Sequence, residues 1–279
     1  MRPLPASTID PMPWHKSIVD AKRQPRRGRL QAIEARVEER IAAFEAGGPI
    51  TIASDPLGHS CSDPCSDCVY DDLRHLWESG TIALNELTDV VWEEFAASEI
   101  RRCPYCGINT ADTLDHYLPK ELFPEFSVNA ANLIPCCGRC NLLKGVDSPT
   151  ASTRVLHPRL DLVDVQLVSC EIVVSGGLPI PVFAVDPSAA SAAGIASECL
   201  HHLDVLDLEK RLSRAAIPSV TAFLGELQSR QLPSSPGAPT SGESAQAARD
   251  RSESHIAQLG PNSWIVLTFD ALATWFDGP

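Results

Sequence analysis

Two Cys-x-x-Cys pairs constrain this chain more than any other feature. Cys103 and Cys106 stand in "CPYC", Cys137 and Cys140 in "CGRC", and thirty residues separate the pairs. Two such knuckles supply four thiolates at the spacing of a closed tetrahedral zinc site, structural because no position is left for water. Any fold this chain adopts must bring both knuckles to one ion. Cys136 is a spare thiol beside the second knuckle, and the two-residue spacing favours Cys137. Taken alone, the pairs describe a zinc ribbon without chemistry.

The remaining thiols are read through their compartment. The start, Met-Arg-Pro-Leu-Pro, lacks the apolar stretch and cleavage site of a secretory leader, so the expected location is the cytoplasm, where thiols stay reduced. Eight of the ten cysteines fall in two clusters, which favours metal ligation over disulfides. The second cluster, Cys61, Cys65 and Cys68, admits three readings: an iron-sulfur triplet, a zinc site completed by His59 or His75, or plain loop thiols. Cys170 and Cys199 stand apart, as small hydrophobes. No membrane span is expected, because the most hydrophobic stretch, 172–185, is broken by Gly176, Gly177, Pro179 and Pro181.

Charge narrows the function further. A net charge of −13 excludes a protein that coats nucleic acid indiscriminately, since such binders displace counterions with a large cationic surface. Residues 101–160 carry seven Lys/Arg against five Asp/Glu, a local +2 that leaves −15 elsewhere. The region around the cysteine pairs is therefore a cationic island.

Patterning divides the chain into six stretches. Residues 1–30, with "KRQPRRGR", read as a basic, Pro-rich extended arm, either a solvated tail or a nucleic-acid contact. Residues 31–100 are helical, with Ile33, Val37, Ile41 and Phe44 on one face, Leu84, Leu87, Val91 and Phe95 on another, and a Cys-rich loop between. Residues 101–150 hold the motif. Residues 151–230 combine a hairpin around "SGG" with helices, Pro218 ending or kinking the stretch 203–230. Residues 231–260 look like a flexible linker or loop, and 261–279 like an apolar docking segment.

The thirty residues between the knuckles have a pattern of their own. "TLDHYLP" reads as a strand ending at Pro119, "NLIP" as a second, and "CCGRCNLLKG" as a short helix stopped by Gly145. Strand, loop, strand and helix, closed by the two knuckles, with Asp115, His116, Asn132, Asn141 and Lys144 in place, resembles the HNH or ββα-metal nucleases over residues 101–145. Asn141 stands where many members have His. The loop "LPKELFPEFSVN" is also similar to the HNH subunit of Septu-type anti-phage systems.

The resemblance implies an α+β fold: a ββα-metal core pinned by a four-cysteine zinc site, between an N-terminal helical region and a C-terminal α/β region. It implies a DNA endonuclease, RNA being open, with His116 as general base. The Asp115 carboxylate and Asn141 amide oxygen are hard ligands suited to Mg²⁺ or Mn²⁺. An imidazole of ordinary pKa near ~6.5 can take a proton from water at neutral pH. Asn132 is expected to hold the His116 ring and the loop, and Lys144, Lys120 and Arg139 to meet phosphate. Strand alternation sends Asp115 and His116 to opposite faces, so the strand must twist or end there. An ATPase or sensor partner suits the acidic body. The competing reading is a zinc-stabilised nucleic-acid or protein-binding module without catalysis.

Overall fold

The computed structural model describes residues 3–49, 52, 69–150, 153–161, 165–229 and 241–278. Among the described residues it is α+β, helices with two small antiparallel hairpins, and its contacts divide it into two compact units. The Cys61, Cys65 and Cys68 cluster lies outside the described residues.

One unit comprises Leu4–Pro104 and Thr110–Leu160. Helices α1 (Pro11–Asp20), α2 (Arg26–Ala32), α3 (Glu34–Gly47), α4 (Val69–Glu78) and α5 (Ile82–Ala97) precede the hairpin β1 (Thr113–His116) and β2 (Leu133–Cys136) and the helix α6 (Gly138–Lys144). Capping begins α1, where Asp10 accepts from the Met12 amide at 3.1 Å and Pro11 needs no partner. Thr81 caps α5 likewise, through the Leu84 amide. The expected apolar faces are buried: Val37, Ile41 and Phe44 on α3, and Leu84, Leu87, Val91 and Phe95 on α5.

The basic stretch near the start is not an extended arm. Residues 11–20 are α1, and "KRQPRRGR" runs from the turn after it into α2, with much of its charge turned inward. Arg26 and Arg29 bracket the buried Asp72 of α4 at 2.7 and 2.6 Å, and Lys22 Nζ lies 2.5 Å from Ser79 Oγ. Burial works to raise the Asp72 pKa, but hydrogen bonds and charge from Arg29 and Arg26 outweigh it and hold the carboxyl below its usual range. Local composition cannot reveal this, because the partner lies more than forty residues away in sequence.

The other unit comprises Met1–Pro3, Tyr105–Asn109 and Asp161–Pro279. Its hairpin, β3 (Val168–Ser175) and β4 (Leu178–Val185), turns at Gly176 and Gly177, both at positive φ. Helices α7 (Pro187–Ala192), α8 (Ala196–Val205), α9 (Leu208–Ser229), α10 (Ser241–Leu259) and α11 (Trp264–Asp277) follow. Val220, Phe223, Leu227, Ala248, Phe269, Leu272 and Ala273 form the core beneath the hairpin.

Two expectations fail here. The helix through 203–230 breaks at Asp207, with φ 48°, and Pro218 does not end α9, which continues past it to Ser229. The supposed linker contains the nineteen-residue helix α10 from Ser241. Its buried Ser244, Ala245, Ala248 and Ser252 are small, which lets α11 approach closely; a run of small residues suits such a helix as well as it suits a loop. Among the described residues, no helix is long and apolar enough to cross a membrane.

Candidate functional site

The antiparallel pairing sets Thr113 opposite Cys136, Asp115 opposite Ile134 and His116 opposite Leu133. β2 delivers the second knuckle directly into α6. Asp112 accepts from the Gly138 amide at 2.7 Å, satisfying one of the helix's open N–H groups, and Gly145, at φ 52°, ends the helix where an L side chain is disfavoured. Arg102 bridges Thr110 across the first knuckle.

Sulfur atoms of Cys103, Cys106, Cys137 and Cys140 lie within 4.8 Å of one another, all four residues buried. A tetrahedral Zn²⁺ with bonds near ~2.3 Å needs sulfur separations of about 3.8 Å, within that bound. The four thiolates can hold a metal such as zinc. Cys136, buried on β2, is outside the group.

A cleft of about 620 Å³ opens beside this hairpin, lined among others by Asp115, His116, Lys120 and Asn141. β1 ends at His116, which resolves the alternation problem: both Asp115 and His116 reach the same cleft. The His116 Nε2 atom lies 2.9 Å from the Ser127 carbonyl. A carbonyl can only accept, so Nε2 carries the hydrogen and Nδ1 keeps its lone pair. The ring also meets Trp77 edge to face at 4.5 Å between centroids. Burial pushes the His116 pKa down to about 4, against the opposing pull of the Ser127 carbonyl and Asp115, so the ring is neutral at pH 7.

Asn141 donates through Nδ2 to the Leu114 carbonyl at 3.3 Å and toward Thr113 Oγ1 at 3.4 Å. That orientation leaves Oδ1 as the atom available to a cation.

Two expected roles, those of Lys144 and Asn132, are corrected, and a third residue, Arg139, lies apart from the cleft. Lys144 does not meet phosphate from the surface: its side chain is 1 % exposed, with Nζ 3.1 Å from Asp115 Oδ1 and 2.9 Å from the His116 carbonyl. It shares a helix side with Asn141, as the spacing required, but that side faces β1. Asn132 holds the loop but not the ring, accepting from the Leu118 amide at 2.7 Å and donating to the Leu118 and Phe126 carbonyls at 3.1 Å. Arg139 is exposed on α6 and does not line the cleft. Lys120 lines it, paired with Glu121 at 2.5 Å.

Sequence reading missed the helical wall of the cleft, Trp77 from α4 and Thr88 and Trp92 from α5. The spacing of Thr88 and Trp92 is helical, but nothing in sequence shows which groove a helix faces. Ser127, whose carbonyl sets the ring's tautomer, was equally silent.

No family model matches the chain, and no solved structure matches it. Over 92 residues, 32% of its length, the chain is 34% identical to Protein ea31 of Escherichia phage lambda, covering 31% of that protein. Over 65 residues, 22% of its length, it is 32% identical to Septu protein PtuB of Bacillus thuringiensis, covering 25% of that protein. The matches thus span between a quarter and a third of each relative, and the chain has a distant similarity to a Septu protein together with a four-cysteine cluster suited to a metal.

Proposed function

We propose that this protein is a metal-dependent endonuclease of the HNH type acting on DNA phosphodiester bonds. The observation that carries the reading is the meeting of His116, Asp115 and Asn141 in one cleft, on a hairpin and helix clasped by four cysteines. The Asp115 carboxylate and Asn141 Oδ1 are a hard, two-oxygen set, and they suit Mg²⁺ or Mn²⁺ that retains most of its waters. When bound, such a cation neutralises charge developing on the phosphate and the leaving oxygen.

His116 Nδ1 takes the proton from the attacking water. Its Nε2 hydrogen bond to Ser127 O and the Trp77 contact hold the ring against rotation, so the base is oriented before substrate arrives. A pKa near 4 keeps it wholly in the accepting form at neutral pH, and an incoming phosphate anion raises its basicity. Lys120 is the cleft's cation for phosphate. The similarity to a Septu protein supports a role in anti-phage defence with an ATPase or sensor partner.

A binding module without catalysis is the second reading. The Lys144–Asp115 pair favours it, because a buried ion pair gives Asp115 a structural reason to be present. Plasmid cleavage with Mg²⁺ or Mn²⁺, beside His116→Ala, separates the two, with bound zinc verified by elemental analysis. Nicking that falls by roughly 10²–10⁴-fold in the variant is the expected result. Zinc-loaded wild type as inert as the variant overturns the autonomous enzyme.

A further inference from the structure

We propose that the cleft carries a nucleobase-stacking subsite on Trp92, and that its substrate is an unpaired stretch of nucleic acid rather than a continuous duplex. The inference rests on the nuclease reading above and names the substrate class of the same site.

One wall of the cleft is polar, with Asp112, Asp115, His116 and Asn141; the helical wall supplies Trp77 and Trp92. Trp77 is already engaged with the His116 ring. Trp92 is held on its inner side by Phe95, edge to face at 5.9 Å, and by the buried cluster of Leu4, Phe95 and Ile100, yet it stays half-buried and reaches the cleft. It is therefore a fixed aromatic surface beside the reacting groups. One turn earlier on α5, Thr88 lines the same wall, its hydroxyl hydrogen donated to the Asn85 carbonyl at 2.7 Å. Stacking on an aromatic face does not depend on the pattern of the base edge, so this wall would accept any base.

Two physical arguments select the unpaired form. A cleft of about 620 Å³ holds far more than a phosphate, and a nucleoside beside the scissile bond is what it has room for. In a duplex the base faces are covered by their neighbours, and only an extruded or unpaired base can present one to a tryptophan. The charge in the cleft points the same way. Asp112 and Glu121 line it with Lys120, whose ammonium is itself paired with Glu121, while the ammonium beside Asp115 is the buried Lys144, turned to that carboxylate. Such a lining draws little affinity from phosphate contacts, which supply most of duplex binding. Stacking then carries the binding.

The test uses the full chain, Trp92→Leu to keep apolar bulk without a π face, and Trp92→Phe to keep a ring. Circular dichroism confirms that both fold. Probes are dT and rU decamers and a blunt dA·dT decamer duplex. Cleavage of single strands over duplex is expected to favour the single strand in wild type, the preference falling about tenfold in Trp92→Leu, the loss of one base stack, and largely returning in Trp92→Phe. The dT and rU arms distinguish DNA from RNA. Equal cutting of duplex and single strand, or a preference untouched by Trp92→Leu, overturns the stacking subsite while leaving the nuclease standing. Should wild type cut nothing, tryptophan fluorescence decides: quenching by the dT or rU decamer that Trp92→Leu abolishes sustains the subsite without the nuclease, and no quenching by either overturns it.

Discussion

Lys144→Met is the most informative perturbation of this molecule. The Lys144 and Asp115 side chains are 1 % and 2 % exposed, with Nζ and Oδ1 3.1 Å apart. At an effective dielectric of about 20, two unit charges at that distance attract by roughly 5 kcal/mol, and desolvation of both offsets part of it. Removing the ammonium leaves a carboxylate buried without that partner, for which a cost of about 3–5 kcal/mol is expected. The His116 carbonyl loses its 2.9 Å donor at the same time, which places the loss toward the upper end. In a unit of about 150 residues this corresponds to a melting temperature lower by roughly 10 °C. Urea unfolding followed by circular dichroism measures it, and the double variant Lys144→Met/Asp115→Asn is expected to recover part of the loss. On the nuclease reading, millimolar Mg²⁺ stabilises Lys144→Met more than wild type, because a carboxylate no longer neutralised by the ammonium attracts the cation more strongly. A Lys144→Met protein within about 1 kcal/mol of wild type refutes the reasoning, since the pair would then not be buried and coupled as described.

Two further outcomes follow from buried groups. Stripping the four-cysteine site with a chelator, or Cys137→Ser, is expected to unfold the knuckles cooperatively, because structural zinc contributes about 10–16 kcal/mol of binding free energy in comparable sites; metal content and circular dichroism read together check this, and full structure in a metal-free protein contradicts it. His157 is buried between Tyr117 and Phe44, and burial, reinforced by the charges of Arg159, Lys144 and Arg154, pushes its pKa down to about 3. The unfolded chain binds a proton near ~6.5 and the folded one does not, so stability falls as pH drops below ~6.5, by about 1.4 kcal/mol per pH unit until the folded pKa is reached. His157→Phe, which preserves the aromatic contact, is expected to lessen the pH slope of stability between pH 6 and 4 by about 1.4 kcal/mol per unit, His15, His116 and His202, pushed down to about 4 by burial, keeping contributions of their own; an unchanged slope in urea midpoints against pH counts against the assignment.

The apolar faces of α3 and α5 were readable because helical periodicity is local: Val37, Ile41 and Phe44 are buried as their spacing required. The same reasoning failed at α10, where Ser and Ala signal a loop by composition but a close-packed helix when α11 lies alongside. It failed too for the basic stretch, whose Arg26 and Arg29 are anchored by an aspartate in another helix.

What the sequence determined by itself is the local chemistry: two knuckles able to share one ion, a short hairpin and helix between them, and Asp115, His116 and Asn141 carried on that hairpin and helix. Such properties reside in residue type and spacing, which tertiary context does not alter. What only the tertiary structure decided is direction and partnership. It turned Lys144 inward to Asp115, gave the His116 ring to Ser127 and Trp77 and not to Asn132, and brought Trp92 to the cleft. Each of these depends on pairing between segments distant in sequence, and the free energy that chooses among such pairings comes from burial, which one segment alone cannot achieve.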